Sequence, residues 1–212
     1  MLSINEIKVF RQNNVNVVIS DLNEEKLANA KSELEKIESE AKVSFCVCNV
    51  TKSEEIANLI EFAKNEFGTI DIWINNAGVN QPDKAIWEFS EDEINIVLDV
   101  DLKGAIMGSR LIMQLMEKEH KGAIYNIEGY GSNDAKMLGL SIYGTSKRAI
   151  TYFTEALAKE RKERPTYAEI VAVKKYVESH LGKPASGNIL YHLDYSQLNN
   201  YTDDEINQIL AY

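Results

Sequence analysis

Short β-branched runs alternate with helix-period segments along the first three quarters of this chain, and that alternation limits what it can fold into. Residues 15–20, 43–47, 70–74 and 123–127 read as strands. Residues 23–40, 53–67, 90–120 and 143–162 read as helices, with Leu27, Ala30, Leu34 and Ile37 recurring at three- and four-residue steps in the first. Gly68 closes the second helix as a C′ glycine, and Ser90 with Glu93 forms a capping-box signature for the third, with an irregularity expected at Gly104. Four strands separated by helices predict βαβ units, hence an α/β protein with a parallel sheet between two helical layers. Ligands of such sheets bind beyond the carboxyl ends of the strands. That places Asp21, Asn49, residues 75–78 and residues 128–132 in the region to read for function.

The run Arg161-Lys162-Glu163-Arg164-Pro165 ends this rhythm. Beyond it a helix-like stretch covers 167–181, a linker covers 182–187, and a short helix is expected after Thr202. The reading is therefore an α/β domain over 1–163 and a helical C-terminal extension over 164–212.

Composition narrows the partners. With 212 residues and 44% hydrophobic content the chain can bury a sizeable core, and its net charge of −10 disfavours nucleic acid and anionic membrane surfaces. No apolar run approaches the ~20 residues needed to span a bilayer, and the opening residues 1–7 lack a basic-then-apolar signal, so a cytoplasmic location is expected. Cys46 and Cys48 alternate on one strand and read as two small buried hydrophobes. His180 and His192 lack the spaced carboxylates or cysteines of a metal site, so no metal is expected.

The chemistry-bearing residues cluster after the strands. Tyr143 and Lys147 stand four apart on one helical face, where a neighbouring ammonium would favour the phenolate and lower the tyrosine pKa. Chance alone supplies a pair at this spacing in a chain with 10 tyrosines. The context adds weight: Asn75-Asn76-Ala77-Gly78 follows a strand, and its small residues permit close approach by a ligand. Asp21 ends another strand, where a carboxylate can bind a ribose diol and repel a 2′-phosphate, or can simply open the next helix; both readings stay open.

Together these residues resemble the short-chain dehydrogenase/reductase family over residues 7–160. Asn75-Asn76-Ala77-Gly78 is similar to its Asn-Asn-Ala-Gly motif, Tyr143 and Lys147 to its Tyr-x-x-x-Lys site, Val100-Asp101-Leu102-Lys103-Gly104 to its central helix, and Cys48-Asn49-Val50-Thr51 to its segment near the adenine. The resemblance implies a Rossmann-like fold and NAD-linked hydride transfer on a small carbonyl or alcohol. Tyr143 would handle the proton, and Lys147 would bind the nicotinamide ribose and lower the tyrosine pKa. Asp21, Asn49, Val50, Asn76, Ala77 and Gly78 would line the cofactor, with NADP disfavoured by Asp21. The long helices imply a homo-oligomer. Residues 67–78 and 126–132 further resemble the chlorophyll b reductase-like branch, which reduces a formyl group on a chlorin ring.

The chain also departs from that pattern. The family opens with a strand and a glycine-rich turn that cradles the cofactor pyrophosphate; here residues 6–14 look like only the end of the helix after that turn, so the first βα unit is expected to be lacking. Asp101 replaces an asparagine. Gly129 replaces the catalytic serine, leaving Ser132 three residues on to swing toward a substrate oxygen. The closing strand and Pro-Gly loop are not recognisable after Lys162. The rival reading is a catalytically inactive remnant or interaction module that has lost the phosphate site.

Overall fold

A computed structural model describes residues 4–132, 136, 138–162, 170–171 and 190–193. The chain folds as two compact units, Met1–Ile70 and Asp71–Tyr212. The domain boundary expected near residue 163 lies outside the described residues.

In the first unit, β1 (Val17–Asp21) pairs in parallel with β2 (Val43–Val47), Val17 opposite Val43 and Asp21 opposite Val47. Helix α1 (Ile4–Gln12) and helix α2 (Glu24–Glu35) pack with this ribbon, burying Ile19, Leu27, Leu34 and Val43 as a core flanked by Ile4, Ile7 and Phe45. Helix α2 stops at Glu35 rather than near 40. Arg11, buried, donates to the carbonyls of Leu34 and Ile37, giving the C-terminal acceptors of α2 a partner that local sequence does not reveal. Helix α3 (Ser53–Phe67) buries Ile56, Leu59 and Ala63 and ends at Gly68, whose φ of 80° suits a residue without Cβ. The two thiols differ: Cys46 is half-buried, while Cys48 is buried, and burial pushes its pKa up to about 11.

In the second unit, β3 (Ile72–Asn75) pairs in parallel with β4 (Ala123–Ile127). Between them lie a 3₁₀ turn at Ile86–Glu88 and a long helical run in three parts: α4 (Glu91–Leu98), a π-helical turn at Asp99–Lys103, and α5 (Gly104–Glu119). The irregularity is thus the turn just before Gly104, whose N–H reaches back to the carbonyl of Asp99. Every residue of β4 is buried, as befits a strand covered on both faces. Helix α6 (Ser141–Lys162) follows.

The expected helical extension is corrected at two points. Ile170–Val171 forms strand β5 and Leu190–Leu193 forms β6; β6 pairs antiparallel with both β4 and β5. A short apolar run does not distinguish helix from strand by its period. Here the β-branched pair Ile170-Val171 pairs through β6 into a sheet, and β6 satisfies backbone groups on the second edge of buried β4. His192 lies on β6, in register with Tyr125. His180, the linker at 182–187 and the helix expected after Thr202 lie outside the described residues.

Candidate active site

A buried polar network sets the end of β3. Trp73 Nε1 donates to Asn75 Oδ1 (2.8 Å), Asn75 Nδ2 donates to Ser109 Oγ (2.9 Å) and Asn126 Oδ1 (2.7 Å), and Asn126 Nδ2 donates to Thr154 Oγ1 (2.9 Å). This chain of bonds joins β3, α5, β4 and α6. Gly108 makes room for it, because a Cβ there would overlap Asn75 Oδ1. The strand end, and with it Asn76, Ala77 and Gly78, is therefore held by side chains from three other elements.

The π-helical turn delivers Asp101 to the same place. Its carboxylate is 1% exposed; Oδ1 accepts the N–H of Val79 at 2.7 Å, and Oδ2 lies 3.4 Å from Lys147 Nζ. A Cβ on Gly78 would stand 3.4 Å from that ammonium and 3.6 Å from both carboxylate oxygens, so the Gly78 backbone flanks the ion pair. Burial raises the Asp101 pKa, opposed by the Lys147 charge and the Val79 N–H.

Tyr143 and Lys147 come together as their spacing implies, but not in the expected electrostatic relation. Lys147 Nζ sits over the Tyr143 ring, 5.4 Å from its centroid, and is paired with Asp101. The Tyr143 pKa is raised, first by burial and then by the Asp101 carboxylate. The expected lowering by Lys147 is not seen: burial of the phenol, and after it the Asp101 carboxylate, push the other way.

The Tyr143 hydroxyl packs over Gly129, where a Cβ would overlap it and would also come within 3.1 Å of the ring Cζ. Glycine at this position is thus what admits the phenol. The N–H of Ser132 bonds the carbonyl of Gly129 (3.2 Å), closing a tight turn past β4, and Gly131, at φ 99°, packs on Gly144 of α6. Ser132 is buried, 3% exposed, and its carbonyl accepts from Arg148 at 2.8 Å.

Sequence reasoning missed Gln81. Its Oε1 accepts the N–H groups of both Ile142 and Tyr143 at 2.8 Å, capping the first turn of α6 from a residue some 60 positions away. No local signal marks such a cap. Glu128, within the segment 128–132 expected beyond β4, follows that strand directly; it is 1% exposed and accepts from Thr151 Oγ1 at 2.5 Å.

The remaining predicted residues lie in the first unit. Asp21 Oδ1 accepts the N–H of Asn23 (2.9 Å), and Asn23 caps α2 through Lys26 N. The helix-opening reading of Asp21 is therefore realised. Asn49 makes a similar turn, its Oδ1 accepting from Thr51 N and Oγ1, and Val50 beside it is half-buried. Among the described residues no three His, Cys, Asp or Glu side chains gather as a metal site, and no helix is long and apolar enough to cross a membrane.

Parallel strand pairs alternating with helices, with a glycine-lined strand end, define a scaffold of the Rossmann type. The sequence profile of the short chain dehydrogenase family matches residues 6–179, and the chain belongs to that family. It is 35% identical over 140 residues to a probable chloroplastic chlorophyll(ide) b reductase of Oryza sativa subsp. japonica, covering 66% of this chain and 28% of that protein, in line with the branch resemblance above. It is 29% identical over 182 residues to a 3-oxoacyl-[acyl-carrier-protein] reductase of Chlamydia muridarum, covering 86% and 72%. The chain thus spans less than a third of the rice reductase's length. Among solved structures, levodione reductase matches with a TM-score of 0.68 at 20% identity, over 76% of this chain and 62% of that one. A metagenomic short-chain oxidoreductase in complex with NADP matches at 0.67 and 19%, over 76% and 71%. At these identities the two structures speak for the fold.

Proposed function

We propose that the protein reduces the carbonyl group of a small-molecule substrate, with Tyr143 as the acid that protonates the developing alkoxide. The observation that carries this reading is the half-buried Tyr143 hydroxyl set over Gly129, beside a buried Lys147–Asp101 pair. A phenol whose pKa is raised stays protonated at neutral pH, which suits proton donation in reduction better than proton removal in oxidation.

The residues fit a nicotinamide dinucleotide. Lys147 is buried next to Gly78, and its ammonium keeps donors for a ribose diol beyond those facing Asp101. The position of Asp21 in the sequence, at the end of β1, supports NAD over NADP, since a carboxylate there would repel a 2′-phosphate. When bound, the nicotinamide supplies hydride to the carbonyl carbon. Asn76, Ala77 and Gly78 line the approach, Lys147 orients the ribose, Tyr143 gives up its phenolic proton, and Ser132 is the nearby hydroxyl for the carbonyl oxygen. The resemblance of residues 67–78 and 126–132 to the chlorophyll b reductase-like branch makes an aromatic formyl compound a sensible first substrate to try. Apolar Ile96 and Tyr152, exposed on α4 and α6, support self-association, which light scattering tests.

The test is oxidation of NADH by purified protein with a panel of aldehydes and ketones, alongside Tyr143→Phe. Wild type should turn over at least one carbonyl, and the variant should lose about 10²–10⁴ of the rate. Turnover that survives Tyr143→Phe, or NADH that fails to bind at all, would falsify the proposal.

A further inference from the structure

Asp101 is a buried negative charge that proton donation by Tyr143 does not require. The π-helical turn at Asp99–Lys103 carries it to the end of β3, where its side chain is 0% exposed and that of Lys147 is 5% exposed. Oδ1 is taken by the Val79 N–H at 2.7 Å, and Oδ2 faces Lys147 Nζ at 3.4 Å. The Gly78 backbone touches both partners, since a Cβ there would stand 3.6 Å from each carboxylate oxygen and 3.4 Å from the ammonium. Lys147 without this partner would give the strand end a charge of one; the pair sums to zero.

We propose that Asp101 sets the redox preference of the site: its carboxylate cancels the Lys147 charge and so favours the oxidised, cationic nicotinamide over the reduced, neutral one. The inference rests on the reading of Lys147 and Gly78 as cofactor-binding residues and deepens it. The two forms of the ring differ by one unit of charge and little in shape, so a residue that tells them apart must act electrostatically. Lys147 alone would repel the cationic form. The carboxylate against it removes that penalty, and because both side chains are out of solvent the effect is weakly screened. The direction suits carbonyl reduction. Hydride passes from the neutral ring to the carbonyl carbon, the Tyr143 proton passes to the oxygen, and the ring is left with the positive charge that Asp101 favours. This bias is separate from the state of the phenol, because it acts on the cofactor.

The test is calorimetric titration of the full chain with NAD⁺ and with NADH, comparing wild type with Asp101→Asn. Asparagine keeps the Oδ1 acceptor for Val79 and removes only the charge. The ratio of the NAD⁺ dissociation constant to that of NADH should rise about tenfold in the variant, the scale of a unit charge at roughly 10 Å and an effective dielectric of ~20. General damage to the site would weaken both nucleotides alike and leave the ratio unchanged; an unchanged ratio overturns the proposal. Wild type gives a second check that needs no folded variant. It should bind NAD⁺ within that same factor of NADH or more tightly, and a wider preference for NADH overturns the proposal. Binding of neither nucleotide to wild type would overturn this inference and the cofactor reading together. Failure of the carbonyl-reduction reading alone would be seen separately, as turnover that persists in Tyr143→Phe while the shift in binding ratio is still found.

Discussion

Asp101 and Lys147 form an ion pair, 3.4 Å between Oδ2 and Nζ, with both side chains almost wholly removed from solvent. Because the carboxylate also raises the Tyr143 pKa, replacing it should move the phenol in the opposite direction. Asp101→Asn is expected to lower the pH at which Tyr143 loses its proton and to shift the balance of activity from carbonyl reduction toward alcohol oxidation. Removing one member of a buried pair leaves the other uncompensated, so a stability loss of about 3 kcal/mol is expected. Forward and reverse pH–rate profiles with a denaturation curve check both parts; an unchanged phenol titration would refute the first.

Gln81 holds the helix that carries Tyr143. Gln81→Leu keeps the side-chain bulk but deletes the acceptor for two N–H groups at the start of α6. The expected cost is about 1–2 kcal/mol of stability, with kcat falling more than KM changes, because the tyrosine rather than a binding group is displaced. Urea denaturation and steady-state kinetics measure the two effects.

Gly129→Ser puts back the residue that the family resemblance leads one to expect, yet it should inactivate. The new Cβ would overlap the Tyr143 hydroxyl and stand 3.2 Å from Lys147 Cγ. A rate loss of about tenfold or more follows from moving the phenol, and Gly129→Ala should match it if the cause is steric. Higher activity in the serine variant would mean that Tyr143 is free to relocate.

Gly108→Ala sets two effects against each other. Alanine in a helix interior is favoured over glycine by about 1 kcal/mol. Its methyl group, however, would overlap Asn75 Oδ1 and disturb the Trp73–Asn75–Asn126 network, with overpacking costing about 1–3 kcal/mol. Net destabilisation is expected, read as a lower melting temperature.

Glu93 supplies an acid-sensitive component of stability. Lys84 and the Ser90 N–H lower its carboxyl from the ordinary 4.5 to about 2. A depressed pKa in the folded state contributes stability that is present above the unfolded value and lost as pH falls through the folded one. The component should therefore disappear between pH 4.5 and about 2, and Glu93→Gln should flatten that part of the stability profile.

The alternating pattern was readable because burial acts through local periods: Leu27 and Leu34 face one core and β4 is buried along its length, as the spacing of their apolar residues implies. Local chemistry was equally legible at the Ser90–Glu93 capping box and at Gly68, where each partner is within a few residues. The Tyr143–Lys147 pairing follows from one helical turn. The strand at 170–171 was not legible, because what selects extended backbone there is pairing through β6 with β4, far away in sequence.

Local sequence carries the alternation of strands and helices over residues 17–162 and the faces that their residues share, since both depend on interactions within a turn or a strand. Contacts across elements set the rest: Asp101 pairs with Lys147, burial and then the Asp101 carboxylate raise the Tyr143 pKa, Gln81 caps α6, and Glu128 is buried against Thr151. The reason is electrostatic. The protonation of a side chain depends on which charges and which solvent surround it, and those neighbours are supplied by elements dozens of residues apart.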